Sequence, residues 1–240
     1  MKQYVRNYEL IELIPQQPFS FYGGGVAYKE LIFNILDNEK NIKVLDIGFG
    51  IGHLGSVIRS NTATSHWIVD GIDGHEIACY NKDLFDTHVY RNIFHGMAQE
   101  LTVDYIRDYD IVCILDVIEH MDIDDARNTL FNLFSSLKEG GYIFLSTPLF
   151  FMPQACIEKG DLEQHKIGVP VSSLINLKPL MYSIYSHDIL VGGFVYGKDS
   201  LSAIDQFKPT TDISFNVDAG YAVALTNDVI IHNDVIVFMP

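Results

Sequence analysis

The stretch KVLDIGFGIGHLG, which runs from Lys43 to Gly55, decides the fold of this chain. Its apolar beginning predicts a short buried strand, and the glycines at every second position predict a tight turn that leads into a helix. Glycine in such a turn adopts a positive φ and brings bare backbone against a bound molecule. The stretch therefore predicts a strand, a ligand-binding loop and a helix in succession.

The same letters fit two kinds of cofactor loop. From Gly50 they read G-I-G-H-L-G, which matches the fingerprint of dinucleotide-binding proteins. From Asp46 they read D-I-G-F-G-I-G, in which a carboxylate lies at the end of the strand. A dinucleotide site directs a helix N-terminus at a pyrophosphate, so a carboxylate beside it is unfavourable. S-adenosylmethionine has no phosphate and carries a positive ammonium and a positive sulfonium, so the charge of Asp46 favours that cofactor.

Composition limits the class of protein. Of the 240 residues, 48% are hydrophobic and 20% are charged, as expected of a globular protein with a real core. The net charge of −15 disfavours a broad nucleic-acid interface, because an acidic surface repels phosphates. Cys79, Cys113 and Cys156 are far apart in the sequence, which predicts a reduced, cytoplasmic protein. The sequence shows no signal-peptide pattern and no apolar run long enough to cross a membrane.

Apolar runs alternate with helical patterns along the chain, which predicts a mostly parallel sheet built from βα units. The pattern from Ala126 to Leu137 is the clearest helix, with acidic residues at its start and Gly140 and Gly141 after its end. Another helix is predicted over His75–Phe85. Further strands are predicted at His66–Asp73, Val89–Phe94, Asp110–Asp116, Tyr142–Thr147, Leu180–Ser186 and Ile189–Gly197.

The last part of the chain, residues 199–240, differs in composition from residues 1–198, which form the main predicted domain. It holds one basic residue, Lys208, and short alternating apolar runs, with an Asn233-Asp234 pair that predicts a hairpin turn. About 40 residues are few for an independent core. This β-rich extension is therefore expected to lengthen the main sheet or to pair with another subunit in a homo-oligomer.

Four motifs resemble, in order, those of the class I S-adenosylmethionine-dependent methyltransferases. VLDIGFGIG resembles the glycine-loop motif, and VDGIDGHEIA resembles the second-strand motif, whose acid binds the ribose hydroxyls. YDIVCILDVIEHM resembles the fourth-strand motif, and LKEGGYIFLSTP resembles the helix-glycine-strand motif that follows. The resemblance implies a Rossmann-like fold with a mostly parallel, seven-stranded sheet, helices on both faces and, within residues 1–40, an N-terminal lid.

The resemblance also implies an enzyme that transfers a methyl group from S-adenosylmethionine to an oxygen or nitrogen atom, with a small molecule as the expected acceptor. Asp46 would hold the amino group of the cofactor and Asp73 its ribose. Met97 stands where relatives often carry an acid that binds the adenine amino group, so its thioether would pack on the ring instead. The implied cofactor-binding residues are Asp46, Gly48, Phe49, Gly50, Gly52, Asp73, Gly74, Met97, Ala98, Asp116 and Val117.

Asp46 and Asp73 also fit a simpler interpretation, in which each carboxylate caps a turn or a helix. Their joint position at the ends of adjacent predicted strands favours the cofactor site. The glycine-rich segment Phe19–Leu31 is likewise open to two interpretations, as a lid over the cofactor or as a connector.

The predicted catalytic residue is His120, which follows the fourth-strand motif and titrates near neutral pH, as a base for the acceptor proton must. The alternative is that His120 begins the next helix and contacts only solvent or Glu119. Asp116, Glu119 and His120 have the spacing D-x-x-E-H, and some relatives with a similar E-x-x-E-H bind a divalent ion, which His165 would help to hold. Because relatives without a metal share the motif, the predicted site includes no metal ligand.

Several functions compete at this point. The leading one is a methyltransferase acting on a small molecule. A second is a metal-assisted RNA 2′-O-methyltransferase, which the acidic composition disfavours. A third is a non-catalytic S-adenosylmethionine-binding or assembly protein whose C-terminal extension forms the interface. A nicotinamide-dependent oxidoreductase is disfavoured by Asp46.

Overall fold

The computed structural model describes residues 2–5, 41–149, 151–156, 162–186, 190–212, 229–232 and 235–238. The segment expected to form a lid, Phe19–Leu31, and the expected Asn233-Asp234 turn lie outside these residues. None of the described helices has the length and apolar character that crossing a bilayer requires.

Ten strands of the described chain join in one sheet. They are β1 (Lys2–Val5), β2 (Lys43–Ile47), β3 (Ile68–Asp73), β4 (Asn92–His95), β5 (Ile111–Leu115), β6 (Tyr142–Pro148), β7 (Met181–Ser186), β8 (Leu190–Tyr196), β9 (Val229–His232) and β10 (Val235–Phe238). Their order across the sheet is β1-β4-β3-β2-β5-β6-β8-β7-β10-β9.

The middle of the sheet is parallel. β4, β3, β2, β5 and β6 are parallel neighbours. β8 lies antiparallel between β6 and β7, so β7 again runs in the common direction. The predicted α/β fold is confirmed, but the sheet is longer than the expected seven strands. β1 adds to one edge and β10 and β9 to the other, all by antiparallel pairing, which short segments can use to cover an open sheet edge.

Six α-helices are described: α1 (His53–Ser60), α2 (Glu76–Cys79), α3 (Lys82–Asp86), α4 (Val103–Ile106), α5 (Ile123–Ser136) and α6 (Val171–Ile175). Three 3₁₀ helices cover Ala98–Glu100, Ile118–His120 and Lys198–Gln206. The single helix predicted over His75–Phe85 is instead the pair α2 and α3. The side chain of Asn81 accepts a hydrogen bond from the Asp83 N–H at 3.0 Å, and this cap starts α3 as a separate helix.

The core has two layers, one on each face of the sheet. Along β5, Ile111 and Cys113 pack in the cluster that contains α1, while Val112 and Ile114 pack in the cluster that contains α5. Alternate residues of a strand point to opposite faces, so a strand covered on both sides is apolar throughout. This burial fixes the central strands and therefore the positions of the loops that follow them.

The C-terminal extension is only partly β-structure. Its first residues belong to the 3₁₀ helix Lys198–Gln206, which contacts α5 and buries Ala203 and the following Phe207. Thr210 then forms an isolated bridge with Gly168. β10 pairs with β7 and β9 pairs with β10, so the final strands lengthen the main sheet, which was one of the two expectations. A domain boundary near residue 198 stays a prediction.

Candidate active site

The loops after β2, β3, β5 and β6 surround a cavity of about 770 Å³. Open parallel sheets bind their ligands at this edge, outside the carboxyl ends of the strands. The lining includes eleven of the twelve site residues that the sequence predicts: Asp46, Gly48, Phe49, Gly50, Asp73, Gly74, Met97, Ala98, Asp116, Val117 and His120.

Gly52 is the exception and does not line the cavity. It caps α1 with a φ of 80°, and its carbonyl oxygen accepts hydrogen bonds from the N–H and the hydroxyl of Ser56. A Cβ at this position would lie 2.3 Å from Leu84 Cδ2. The glycine is therefore required by the turn and by packing against α3, and its predicted contact with the cofactor stays a prediction.

The other two loop glycines present bare backbone to the cavity. Gly48 has a φ of 70°, and a Cβ there would lie 2.3 Å from Val117 Cγ2. Gly50 has a φ of 54°, and a Cβ there would meet nothing within 4 Å. Gly48 thus joins the loop closely to the end of β5, while Gly50 leaves room beside the backbone for a ligand.

Asp46 is 2% exposed, and its Oδ2 accepts a hydrogen bond from the Tyr90 hydroxyl at 2.8 Å. Burial, followed by the charge of Asp46, raises the pKa of Tyr90 well above its usual range, so the phenol stays protonated and keeps donating. The Tyr90 ring also packs on Phe49, with the ring centroids 5.2 Å apart. Tyr90 therefore positions Asp46 and the loop together, and the sequence analysis did not identify it.

The Asp73 carboxylate connects two segments of the site. Its Oδ2 accepts from the Gly50 N–H at 2.8 Å and its Oδ1 from the His75 N–H at 2.7 Å. Burial raises the pKa of Asp73, and these two backbone hydrogen bonds oppose the rise. Each carboxylate oxygen has a second lone pair, so the capping bond to His75 leaves acceptor capacity for a ligand hydroxyl.

Gly74 continues the same wall of the cavity. A Cβ on Gly74 would lie 2.6 Å from Met97 Sδ and 2.7 Å from Leu162 Cδ1, so a thioether and an apolar side chain face this backbone. Leu162 comes from the segment before α6, and no motif in the sequence points to it. The three residues offer the apolar surfaces that a flat aromatic ring would contact.

Asp116 directly follows β5 in a strained conformation. Its φ is 55°, in the left-handed region that favours glycine. The Asp116 N–H donates to the Ser146 carbonyl at 2.9 Å, and the Ser146 hydroxyl donates to Asp116 Oδ1 at 3.0 Å. Non-glycine residues in this region concentrate at functional sites, where the surrounding structure holds them in place. Here β6 holds the turn that carries Asp116 into the cavity lining.

Glu119, His120 and His165 meet at one side of the cavity, with one potential ligand atom from each within 4.8 Å of the others. Glu119 is 3% exposed, and its Oε2 accepts from the Thr147 hydroxyl at 3.0 Å. Burial, with a contribution from the nearby Asp116, raises the pKa of Glu119 well above its usual range. Burial, with a contribution from His120, lowers the pKa of His165. The two imidazole rings are in edge-to-face contact, with centroids 4.6 Å apart.

Both histidines use Nδ1 for backbone contacts. His120 Nδ1 lies 3.2 Å from the Gln164 carbonyl oxygen, and His165 Nδ1 lies 2.8 Å from the Met152 carbonyl oxygen. A carbonyl oxygen only accepts, so in these bonds Nδ1 carries the proton and Nε2 is the basic nitrogen. This tautomer suits either a general base or a metal ligand.

The segment 162–167 is fixed over this side of the cavity. The N–H groups of Lys166 and Ile167 both donate to the Glu119 carbonyl, at 2.8 and 3.2 Å. The His165 N–H donates to the Gln154 carbonyl at 3.1 Å, and Gln154 Nε2 donates to the Glu163 carbonyl at 2.8 Å. These bonds bring His165 to His120 although the two are far apart in sequence. The sequence analysis anticipated that His165 would lie near His120, but it did not anticipate the hydrogen bonds that hold the segment there.

The residues fit S-adenosylmethionine in charge and in shape. Asp46, Asp73 and Asp116 place three carboxylates along a cavity that would receive an ammonium and a sulfonium, and Gly50 leaves bare backbone beside them. Among the described lining residues, Lys166 is the one lysine or arginine, and its Nζ pairs with Asp122 at 3.3 Å. A pyrophosphate would find no favourable charge in this lining.

Comparison with known proteins gives a family for the chain. A family model described as a methyltransferase domain matches residues 25–168, more than half of the chain. No curated protein is significantly similar to the chain in sequence. Among solved structures, a protein from Pyrococcus horikoshii OT3 is 15% identical, over 70% of this chain and 86% of its own, with a TM-score of 0.49.

Two further solved structures are also similar to this chain. A TehB-like SAM-dependent methyltransferase from Corynebacterium glutamicum is 17% identical over 71% of this chain and 86% of its own, with a TM-score of 0.45. An O-methyltransferase from a polyketide synthase multienzyme of Brevibacillus brevis, in complex with S-adenosylhomocysteine, is 18% identical over 57% of this chain, with a TM-score of 0.42. The present chain covers 46% of the Brevibacillus brevis chain. It covers 44% of another similar chain, from Galdieria sulphuraria, so it spans less than half of each.

The matched residues 25–168 include all four motifs and every described residue of the cavity lining except Val191. The chain therefore belongs to the methyltransferase-domain family, and its predicted identity as a class I S-adenosylmethionine-dependent methyltransferase is confirmed.

Proposed function

We propose that this protein methylates an oxygen or nitrogen atom of a small molecule that binds beside the cofactor in the described cavity. The observation that carries this proposal is that one cavity is lined both by the glycine loop with Asp73 and by His120 with His165. A volume of about 770 Å³ lies in the range of small-molecule sites. The proposal keeps the acceptor small and does not require nucleic acid.

In this proposal the cofactor side of the cavity has defined roles. Asp46 binds the amino group, Asp73 binds the ribose, and Gly74 with Met97 and Ala98 contacts the adenine. Gly48, Phe49, Gly50, Asp116 and Val117 surround the rest of the cofactor. When bound, S-adenosylmethionine supplies an electrophilic methyl group on a sulfonium. The protein contributes alignment of the acceptor with that methyl group and exclusion of water.

His120 is proposed as the base. Its Nδ1–H donates to the Gln164 carbonyl, so the proton of the acceptor would go to Nε2. His165, buried at 8% exposure and edge-to-face with the His120 ring, restricts that ring to one orientation. The pKa of His165 is lowered, so His165 stays neutral beside His120 and does not compete for the same proton.

A second candidate is metal-assisted methyl transfer, because Glu119, His120 and His165 form a group that could hold a divalent ion. One carboxylate and two imidazoles suit Zn²⁺, Mn²⁺ or Fe²⁺ better than Mg²⁺, which prefers oxygen ligands. The group differs from the sequence expectation because it does not include Asp116, whose Oδ1 accepts from Ser146. An ion there would lower the pKa of an acceptor hydroxyl, so that the hydroxyl would lose its proton to solvent water, and His120 would act as a ligand in place of a base.

The test is calorimetric titration of the protein with S-adenosylmethionine, S-adenosylhomocysteine and NAD in parallel. We expect both adenosyl ligands to bind and NAD not to bind. The affinity for the adenosyl ligands should fall in Asp73→Asn, which replaces the carboxylate that accepts hydrogen bonds from the Gly50 and His75 N–H groups. Asp108→Asn is the matched control, since Asp108 is exposed and outside the cavity lining. Absence of binding by both adenosyl ligands would sink the proposal. Methyl transfer that survives chelation would exclude the metal-assisted form, while tight cofactor binding without transfer to any acceptor would favour a binding protein.

A further inference from the structure

The acceptor side of the cavity is rich in carboxyl groups. We define this side as the lining residues in 119–125, 148–156 and 163–166. It contains three carboxyl groups, from Glu119, Asp125 and Glu163. The one lysine among its described residues, Lys166, pairs with Asp122 at the surface.

Glu119 is the most buried of these acids. Its Oε2 accepts from the Thr147 hydroxyl, and its carboxyl also accepts from the Glu119 backbone N–H. Among the described residues no lysine or arginine forms a salt bridge with it. A carboxylate removed from water is stable only when a positive charge or several donors compensate it. Its place in the lining means that a bound molecule could supply that charge.

The charge changes of methyl transfer differ between acceptor types. For an amine, loss of one proton, here to His120, frees the nitrogen lone pair. That pair forms the new N–C bond while the C–S bond breaks and leaves its electrons on sulfur. The positive charge therefore moves from sulfur to nitrogen. For an alcohol, loss of the proton builds negative charge on oxygen, which nearby carboxylates oppose.

We propose that the natural acceptor is an amine, held as an ammonium by Glu119 on the acceptor side of the cavity. This inference deepens the proposed function and rests on it. In the empty site burial favours the protonated carboxyl of Glu119, and the charge of a bound amino group favours its ionised form, so Glu119 holds the ammonium as a carboxylate. It then stabilises the methylated ammonium that forms. An alcohol brings no positive charge to Glu119, so the metal-free protein selects nitrogen.

The experiment uses a matched pair of probes, benzylamine and benzyl alcohol, which differ in the charge of one polar group at neutral pH. Each is titrated calorimetrically into the full-length chain saturated with S-adenosylhomocysteine, with a chelator present to remove metal ions. Benzylamine is expected to bind roughly tenfold more tightly than the alcohol, the effect of one hydrogen-bonded charge pair. Glu119→Gln should abolish this preference while its thermal melting shows that it still folds.

Glu139→Gln is the control, because it makes the same chemical change at an exposed position outside the cavity lining, and it should keep the preference. Equal affinity for the two probes, tighter binding of the alcohol, or no measurable binding of benzylamine overturns the inference. A preference that persists in Glu119→Gln also overturns it. S-adenosylhomocysteine serves as an internal check: if it binds, such results contradict the amine acceptor alone, and if it does not bind, the proposed function fails and the inference fails with it.

Discussion

Substitution of Gly48 by alanine tests whether the glycine loop is locked against β5. Gly48 has a φ of 70°, and an added Cβ would lie 2.3 Å from Val117 Cγ2. An alanine in the left-handed region costs about 1–2 kcal/mol. Forcing a methyl group into occupied space costs about 1–3 kcal/mol more. Gly48→Ala should therefore destabilise the protein by about 2–5 kcal/mol, the sum of these two effects.

Gly140→Ala is the matched control for the conformational part. Gly140 has a φ of 72°, close to that of Gly48, but a Cβ there would meet nothing within 4 Å. It lies in the turn between α5 and β6, outside the cavity lining. Its substitution should cost only about 1–2 kcal/mol. The difference between the two variants measures the clash with Val117.

The assay is urea unfolding without ligand, followed for the two single variants, for Val117→Ala and for Gly48→Ala combined with Val117→Ala. Removing Val117 Cγ2 removes the atom that the new Cβ would strike, so the double variant should be more stable than the sum of the single effects predicts, by about 1–3 kcal/mol. Equal destabilisation by Gly48→Ala and Gly140→Ala, together with additive effects in the double variant, would refute the close contact between the loop and β5.

Two further predictions concern buried groups near the site. Tyr90→Phe removes the hydroxyl that donates to Asp46, so the affinity for S-adenosylhomocysteine should fall roughly tenfold by calorimetry, and an unchanged affinity would show that Tyr90 does not position Asp46. Because the pKa of Glu119 is raised in the fold, the folded protein holds a proton that the unfolded chain has released, and stability should fall as pH rises from the usual glutamate pKa towards the raised one. Thermal melting of Glu119→Gln should depend less on pH in that window, and an equal decline in both proteins would contradict the assignment.

Local patterns sufficed to predict the central elements. The strand and the helix of the stretch Lys43–Gly55 were predicted from a short apolar run and alternating glycines, and both are present as β2 and α1. The apolar run Asp110–Asp116 predicted a strand, which is present as β5 and packs in both clusters of the core. These features depend on neighbouring residues, because strand period, glycine conformation and helix capping act over a few positions.

The errors also have local or edge-related causes. The break between α2 and α3 had a visible signal in Asn81, a residue preferred at helix starts, which the prediction of one helix did not use. The number of strands was underestimated because pairing at a sheet edge depends on which segments reach that edge, and sequence period does not encode this. The position of Gly52 also depends on contacts that its spacing does not show: it shares the spacing of Gly48 and Gly50, but a Cβ there would meet Leu84 and Tyr90.

By itself the sequence determined the parallel α/β fold, the family, the cofactor loop and the acidic residues at the strand ends, because these follow from short patterns whose physical meaning is local. Only the tertiary structure decided which distant groups meet: Tyr90 with Asp46, Asp73 with the Gly50 N–H, and His165 with Glu119 and His120. Such contacts join segments that are tens of residues apart, and their geometry is fixed by the packing of whole elements on both faces of the sheet. The acidic acceptor side, on which the amine proposal rests, is a product of that packing.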